Sequence, residues 1–496
     1  MQDNTLLASV DLGSNSFRLE VGKFEHGQIQ RMEYLKETVR QGGGLDEEKM
    51  LSLQAMQRGW DCLARFAERI ANFEPQHVRA VATQTLREAK NRDVFIQKAN
   101  EILGFPIDII AGREEARLIY LGVAHMLPQS DEKRLVIDIG GRSTELILGQ
   151  GYQSLVTESY QIGSVGWSMK YFANGDLSAK AFDKARVAAC ALLGEAASLY
   201  PRSAWTIAYG SSGTASAVAD VLQAAGFAAG VIDRAGLHWL LERLIKLGHT
   251  DKLDFEGLRE DRKAVIGGGL STLLALFDVL GLEQLHISDG ALRQGVLYDL
   301  LDRELDETDT RAATVTRLAK GFGLDLQQAA RVRASALYFY EQLQPSSSQE
   351  AHSDAWRLLG WAAELHEIGT RISHNYFHKH GAYILENADA AGFTEAEQGL
   401  LSLLVLGQRG KLRKLETNLN ELGFVQQLLC LRLATIVCHA RNQPDIAGLR
   451  LLQQKRGFKL LHSAAWQHKH PQSYYLLMEE AAHWQRAGWG LDLQLS

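Results

Sequence analysis

The chain carries one pattern twice. SVDLGSNSFRLEVG, beginning at Ser9, and VIDIGGRSTELILG, beginning at Val136, each consist of an apolar strand ending in Asp, a glycine turn rich in hydroxyls, and a second apolar strand. The Asp, Gly and Ser positions coincide as well as the apolar ones, which a chance likeness of two strands would not require. An internal duplication is expected, its second half closing near Leu301.

Strands alternate with helices in both halves. In the first, LLASVDLG, SFRLEVGKF and QIQRMEYL predict a hairpin-rich sheet, and helical periodicity runs from about Glu47 to Ile70. A strand (VRAVAT), a helix ending near Leu103, a strand (IDIIA) and a helix from Arg113 to about His125 follow. RLVIDIGG, STELILG and YQSLVTESYQIG open the second half in the same way. The alternation predicts α/β layers. Beyond Asp302 long helical stretches rich in Ala, Leu, Gln and Arg take over, with little strand signal before residue 451. The expected division is 1–126, 127–302, a helical domain over 303–450 and a small C-terminal domain over 451–496.

A chain of 496 residues, 46% hydrophobic and 23% charged, is globular and too long for one core. Its formal net charge of −6 argues against a stable nucleic-acid partner. The charge is uneven. From Leu401 onward 12 Lys and Arg stand against 6 Asp and Glu, so a basic end sits on an acidic protein and suits contact with a polyanion. Met1–Leu7 lacks a secretory signal, and no apolar run reaches the roughly 18–20 residues of a spanning helix. A cytoplasmic protein without an integral membrane segment is expected, peripheral membrane association staying open. Cys62, Cys190, Cys430 and Cys438 are scattered and read as reduced residues.

The turn after Asp11, with Gly13, Ser14, Asn15 and Ser16, offers N–H groups and hydroxyls that can cradle a phosphate; it fits a plain β-turn equally well. Asp138 is followed by Gly140, Gly141, Arg142, Ser143 and Glu145, the same turn with an added carboxylate. Two matched loops across a cleft could hold successive phosphates of one chain, and Asp and Glu are hard oxygen ligands suited to Mg²⁺. In GREEAR (112–117) a carboxylate could orient and deprotonate water for attack on phosphorus. Glu in a first helical turn also simply suits the helix dipole. Arg87 (TQTLREA) and Arg293 (SDGALRQG) could clamp phosphate or be solvated helix-start residues. Gly210, Ser212 and Gly213, in GSSGT after an apolar strand, form another candidate phosphate turn.

Two clusters lie further on. LHEIG with His366, followed by His374, His378 and His380, suggests metal binding, but Glu367 stands where an HD-type dimetal site needs Asp, and RVRASALYFYEQL upstream has no His. A structural or phosphate-contacting role is expected there. GQRGKLRK places Arg409, Lys411, Arg413 and Lys414 within six residues. Such a run is either a solvated face or a track for a long polyanion.

In order, SVDLGSNSFR, ATQTLREA, IIAGREEARLIYLGV, LVIDIGGRSTEL, YGSSGT, SDGALRQGVLY, WAAELHEIG and HNYFHKHGAYIL resemble the exopolyphosphatase and guanosine-pentaphosphatase family, within the actin, sugar-kinase and heat-shock ATPase superfamily. The resemblance covers nearly the whole chain. It implies two duplicated actin-like (ribonuclease H-like) domains, a degenerate HD-like helical domain serving substrate binding or dimerisation, a homodimer, and Mg²⁺ as cofactor, with K⁺ stimulation a further expectation. It places the catalytic carboxylate on Glu115, with Glu114 as the alternative register, and Glu145 as its partner for water or metal. The metal falls on Asp138, with Glu145 and Asp11. Phosphate binding falls on the two loops and Arg87, and a polyphosphate track on the basic run with His378. The implied reaction is processive release of terminal phosphate from polyphosphate, or removal of the 5′ γ-phosphate of guanosine pentaphosphate (pppGpp), with polyphosphate ahead because a basic track suits a long chain.

The sequence departs from the family in three places. Arg142 interrupts a triple glycine, where it either adds a charge contact or crowds the loop; Gly267–Gly269 stand where a Pro-Gly pair is usual; and the helical domain lacks the HD metal signature. Two rivals remain at this level: an actin-like kinase, which also needs two phosphate loops, and a binding sensor whose catalytic site has decayed.

Overall fold

The computed structural model describes residues 2–303, 308–343, 353–455 and 457–495. They form two compact units, Met1–Thr308 and Asp309–Ser496.

In the first unit, β1 (Leu6–Leu12), β2 (Ser16–Glu25), β3 (Gln28–Thr38), β4 (Val78–Ala82) and β5 (Ile107–Ile109) form a sheet in the order β3-β2-β1-β4-β5. The second sheet takes β6 (Lys133–Ile139), β7 (Thr144–Gln150), β8 (Gln153–Tyr160), β9 (Ile207–Gly210), β10 (Val231–Asp233) and β11 (Gln284–Ile287) in the order β10-β11-β9-β6-β7-β8. Read from β8 inward, the first five places repeat the first sheet: a three-strand antiparallel meander, then two parallel strands reached by helical crossovers. The duplication in the sequence is therefore a duplication of topology, and the fold is actin-like.

Each sheet has its own apolar core. Val10, Phe17, Leu19, Trp60 and Phe66 belong to one, and Leu135, Leu146, Trp167, Phe182 and Phe277 to the other. Between them the Gly112–Met126 and Leu292–Asp302 helices cross at backbone contact. A Cβ on Gly295 would lie 1.7 Å from the Leu118 carbonyl oxygen, and one on Gly122 would lie 2.2 Å from that of Ala291, so only glycine allows this crossing.

Most predicted elements lie within a few residues of their expected ends. The helix expected from Glu47 begins instead at Leu53, because Lys49 adopts φ +63° in a turn and the Ser52 hydroxyl caps the helix by accepting from the Ala55 N–H. The Gly267–Gly269 run opens the Ile266–Leu280 helix. There a Cβ on Gly268 would lie 2.5 Å from the Ser164 carbonyl oxygen, so the run permits close packing on the Ser164–Tyr171 helix.

The second unit is helical up to Val437 and ends in a sheet of β12 (Arg450–Gln454), β13 (Gly457–His462) and β14 (Gly490–Leu495). Leu451, Phe458, Leu460, Trp484 and Leu491 share one core with Leu359, Leu404, Leu428 and Leu433 of the helices, so these strands do not build a core of their own. No helix among the described residues is long and apolar enough to cross a membrane.

Candidate active site

The β1–β2 and β6–β7 turns meet. A Cβ on Gly141 would lie 3.0 Å from that of Ser14, and the Ser14 hydroxyl is held by Thr85 at 2.7 Å. Beside them a cavity of about 300 Å³ opens in the first unit, lined by Gly13, Ser14, Asn15 and Ser16 of one loop and Gly140, Gly141 and Ser143 of the other. Asp11, Asp138, Glu115, Ser212, Gly213 and Arg293 also line it. The structure thus gathers segments from positions 11 to 293 around one space.

The duplicated hairpins differ in charge at the register point of the Asp. Asp11 pairs with Arg18 across β1 and β2, and Asp138 pairs with Glu145 across β6 and β7; each partner is the seventh residue after its Asp. Arg18 Nη1 donates to Asp11 Oδ2 at 2.8 Å. The second copy instead sets one carboxylate against another. Asp138 accepts from the Ser211 hydroxyl, and Glu145 from the Ser159 hydroxyl at 2.8 Å.

Glu115 completes this acidic group. Burial pushes its carboxyl up to about 7, against the pull of Arg87, with the charges of Asp11 and Asp138 adding to the rise. Burial, then the charges of Glu115 and Asp138, raises Glu145 well above the usual carboxylate range. Asp138 is raised by burial, with Ser211 and Arg18 opposing. Glu145 itself is buried behind the cavity wall.

Glu114 and Glu115 are both buried but face different partners. Arg117 Nε donates to Glu114 Oε2 at 2.8 Å and also binds Asp299, which Arg79 and Arg303 hold as well. Glu114 is thus tied into an ion network, while Glu115 lines the cavity. Arg87 does not line it: Nη1 and Nη2 donate to Glu115 Oε2, each at 3.2 Å, and Nη1 also to the Ile110 carbonyl. Gly210 sits in β9 behind the cavity, and the Ser212 hydroxyl caps the Gly213–Ala224 helix by accepting from the Ala215 N–H at 3.1 Å. Arg293 Nε donates to Glu20 at 2.6 Å, and its guanidinium lies 4.8 Å from the Tyr34 ring centroid.

Further cavity residues, not expected from the sequence, are cationic. Lys36, Arg259 and Arg262 surround Asp261, at 3.6, 3.4 and 3.8 Å. One carboxylate cannot neutralise three cations. Burial, then the charges of Arg262, Arg259 and Arg18, lowers the Lys36 ammonium to about 8. Gly213 admits Arg262, whose Nη2 would lie 2.4 Å from a Cβ there. The available signal was the basic run LREDRKAV, but it adjoins no phosphate loop in the sequence.

No three His, Cys, Asp or Glu side chains among the described residues converge as a ready-made metal site. The acidic group still fits a hard divalent cation. Mg²⁺ is commonly held by one or two carboxylates with substrate oxygens and water completing its shell, and it would relieve the repulsion among Asp11, Asp138, Glu115 and Glu145.

The second unit holds the histidine cluster and the basic run. His366 is buried with Nδ1 2.7 Å from the Ala363 carbonyl, and Glu367 is paired with Arg441 at 2.5 Å. His378 is held down to about 4 by burial and by Lys414, Lys379 and Arg409. Arg409 lies 5.6 Å from the Phe377 ring centroid, Lys414 Nζ donates to the Arg409 carbonyl at 3.0 Å, and Lys411 and Arg413 are exposed.

A duplicated actin-like fold with two matched glycine- and hydroxyl-rich loops and a buried carboxylate at one cavity suits an enzyme that handles phosphoryl groups. The chain belongs to the Ppx/GppA phosphatase family: that family's model matches residues 21–304, and its domain III model matches 310–481. Enzymes of the family are generally divalent-metal dependent. A guanosine-5′-triphosphate,3′-diphosphate pyrophosphatase from Vibrio parahaemolyticus is 37% identical over 98% of both chains. Among solved structures, an exopolyphosphatase from Cytophaga hutchinsonii is similar at 22% identity and TM-score 0.55, covering 60% of this chain and 98% of that one. The Aquifex aeolicus Ppx/GppA family member is similar at 23% identity and TM-score 0.51, covering 61% and 99%.

Proposed function

We infer that this chain removes the terminal phosphate of a polyphosphorylated substrate, with inorganic polyphosphate as the principal substrate. The observation that carries the reading is Glu115: a buried carboxylate, held by Arg87, in the wall of a cavity faced by two matched loops. The loop N–H groups and hydroxyls hold the phosphates. Glu115 accepts a proton from a water as the water oxygen attacks the terminal phosphorus, the bond to the bridging oxygen breaks, orthophosphate is released, and the shortened substrate, which keeps the bridging oxygen, stays against the loops and Arg18. Asp138 and Asp11 in the cavity wall, with Glu145 behind Asp138, would hold Mg²⁺, which supplies charge neutralisation on the phosphoryl oxygens. Lys36, Arg259, Arg262 and Arg293 suit phosphates further along.

Because a base works only when ionised, kcat/KM at low Mg²⁺ should fall as pH drops below about 7, the value to which Glu115 is raised. Saturating Mg²⁺ should move that limb to lower pH, since a nearby cation favours the carboxylate. A limb unmoved by Mg²⁺ would count against a shared site.

A second reading, hydrolysis of the 5′ γ-phosphate of pppGpp, is favoured by the full-length likeness to the Vibrio enzyme. Steady-state phosphate release from long-chain polyphosphate and from pppGpp, measured side by side with Mg²⁺, decides between them. Faster turnover of pppGpp would reverse their order. Binding without release would support a sensor, and ATP-dependent phosphorylation of an added acceptor would support a kinase.

The basic run of the second unit serves the long-chain reading. Neutralising Arg409, Lys411, Arg413 and Lys414 together should raise KM for long polyphosphate several-fold more than for short chains and flatten its salt dependence. An equal change at all lengths would remove these residues and His378 from any track.

A further inference from the structure

Arg142, the residue that interrupts the glycines of the second loop, is not among the residues lining the cavity. Its Nη1 donates to the Gly42 carbonyl at 3.0 Å, and its Nη2 donates to Glu88 Oε2 at 3.3 Å. Both acceptors belong to the first half. The same Glu88 accepts from Gln84 Nε2 through its other oxygen, Gln84 Oε1 accepts from Arg87 Nε at 3.1 Å, and Arg87 donates to Glu115. An unbroken run of side-chain hydrogen bonds therefore leads from the second loop to the carboxylate of Glu115.

The run is shielded. The side chains of Arg142, Glu88, Arg87 and Glu115 are 20, 12, 16 and 9% exposed, and Gln84 is buried, so water competes weakly at each link. Gln84 is the lever. Its amide has a donor end and an acceptor end; giving the donor to Glu88 turns the acceptor toward Arg87. Without Arg142, Glu88 loses its cation, the Gln84 amide loses its fixed sense, and the Arg87 fork loses one of the acceptors that aim it at Glu115.

We propose that Arg142 is a positioning residue that aims Glu115 through Glu88, Gln84 and Arg87, so that the carboxylate is set only while the two halves of the first unit are apposed. This rests on Glu115 being the base. Arg142 touches no cavity surface, so its removal changes the rate of the chemical step and leaves substrate binding alone.

The test uses the full chain with the faster of the two phosphate substrates. Arg142→Gly should lower kcat about tenfold, with KM changed by less than about twofold. Glu88→Gln leaves a single acceptor oxygen for the two donors Gln84 Nε2 and Arg142 Nη2, so the run is broken at one link or the other, and it should give the same loss in a protein of unaltered thermal stability. Because the two act in series, the double variant should be no slower than either single one, and Arg142→Lys, which can still reach Glu88, should recover part of the rate. An unchanged kcat in Glu88→Gln, losses that multiply in the double variant, or an effect mainly on KM would overturn the proposal. Full activity in Glu115→Gln would instead overturn the base assignment, so the two failures are distinguishable.

Discussion

Glu115→Gln is expected to lower kcat by roughly 10³-fold while leaving the affinity for polyphosphate and pppGpp within about twofold. The amide keeps the size of the side chain and an oxygen for Arg87 but cannot accept the proton of the attacking water. Removing one negative charge from the group formed with Asp11, Asp138 and Glu145 also eases repulsion, so binding of an anionic substrate should not suffer. Glu114→Gln is the contrast. It should cost stability through the Arg117 and Asp299 network, with a smaller effect on kcat in the folded fraction. Rapid-quench measurement of phosphate release with equilibrium binding separates the cases. Near-normal turnover in Glu115→Gln would remove the base from the mechanism, and a dead Glu114→Gln of normal stability would move the base by one residue.

Gly295→Ala should destabilise the first unit by about 3 kcal/mol or more, seen as a fall in Tm of roughly 6–10 °C. Its Cβ would lie 1.7 Å from the Leu118 carbonyl oxygen, a backbone atom that no rotamer change can move aside. The two helices would have to part, and one of them carries Glu115, so activity should fall beyond the loss of folded protein. Gly166→Ala is the control. No atom lies within 4 Å of its Cβ position, and the residue sits inside the Ser164–Tyr171 helix, so a change within about 1 kcal/mol is expected. Equal Tm values for the two variants would mean that the crossing relaxes without cost.

Much of the lining of this cavity is legible in the sequence, because its parts are local. A turn that must bend between two strands and present N–H groups needs Gly13 or Gly140 and small hydroxyl residues, and those are visible within a few positions. The choice between Glu114 and Glu115 was not local. Both are buried in the first turn of one helix, and consecutive helical residues point about 100° apart, so only the placement of Asp299 and of the cavity separates their surroundings.

The duplication, the two loops and the acidic helix start were determined by the sequence itself, since each depends on residues that are neighbours in the chain. The cationic side of the cavity was decided by tertiary structure alone. Lys36 stands beside Arg18 because a register shift between Val21 and Gly22 moves the β2–β3 pairing by one residue; counting back from the hairpin turn without it would set Arg18 against Leu35. Arg259 and Arg262 arrive from far along the chain to share Asp261 with Lys36. The repeat shows the same division. The sequence writes Arg18 and Glu145 at one position of two like hairpins, but only the fold puts Arg18 in the cavity wall and Glu145 behind it, beside Asp138, since the interaction of charges depends on their separation in space and on the water excluded between them.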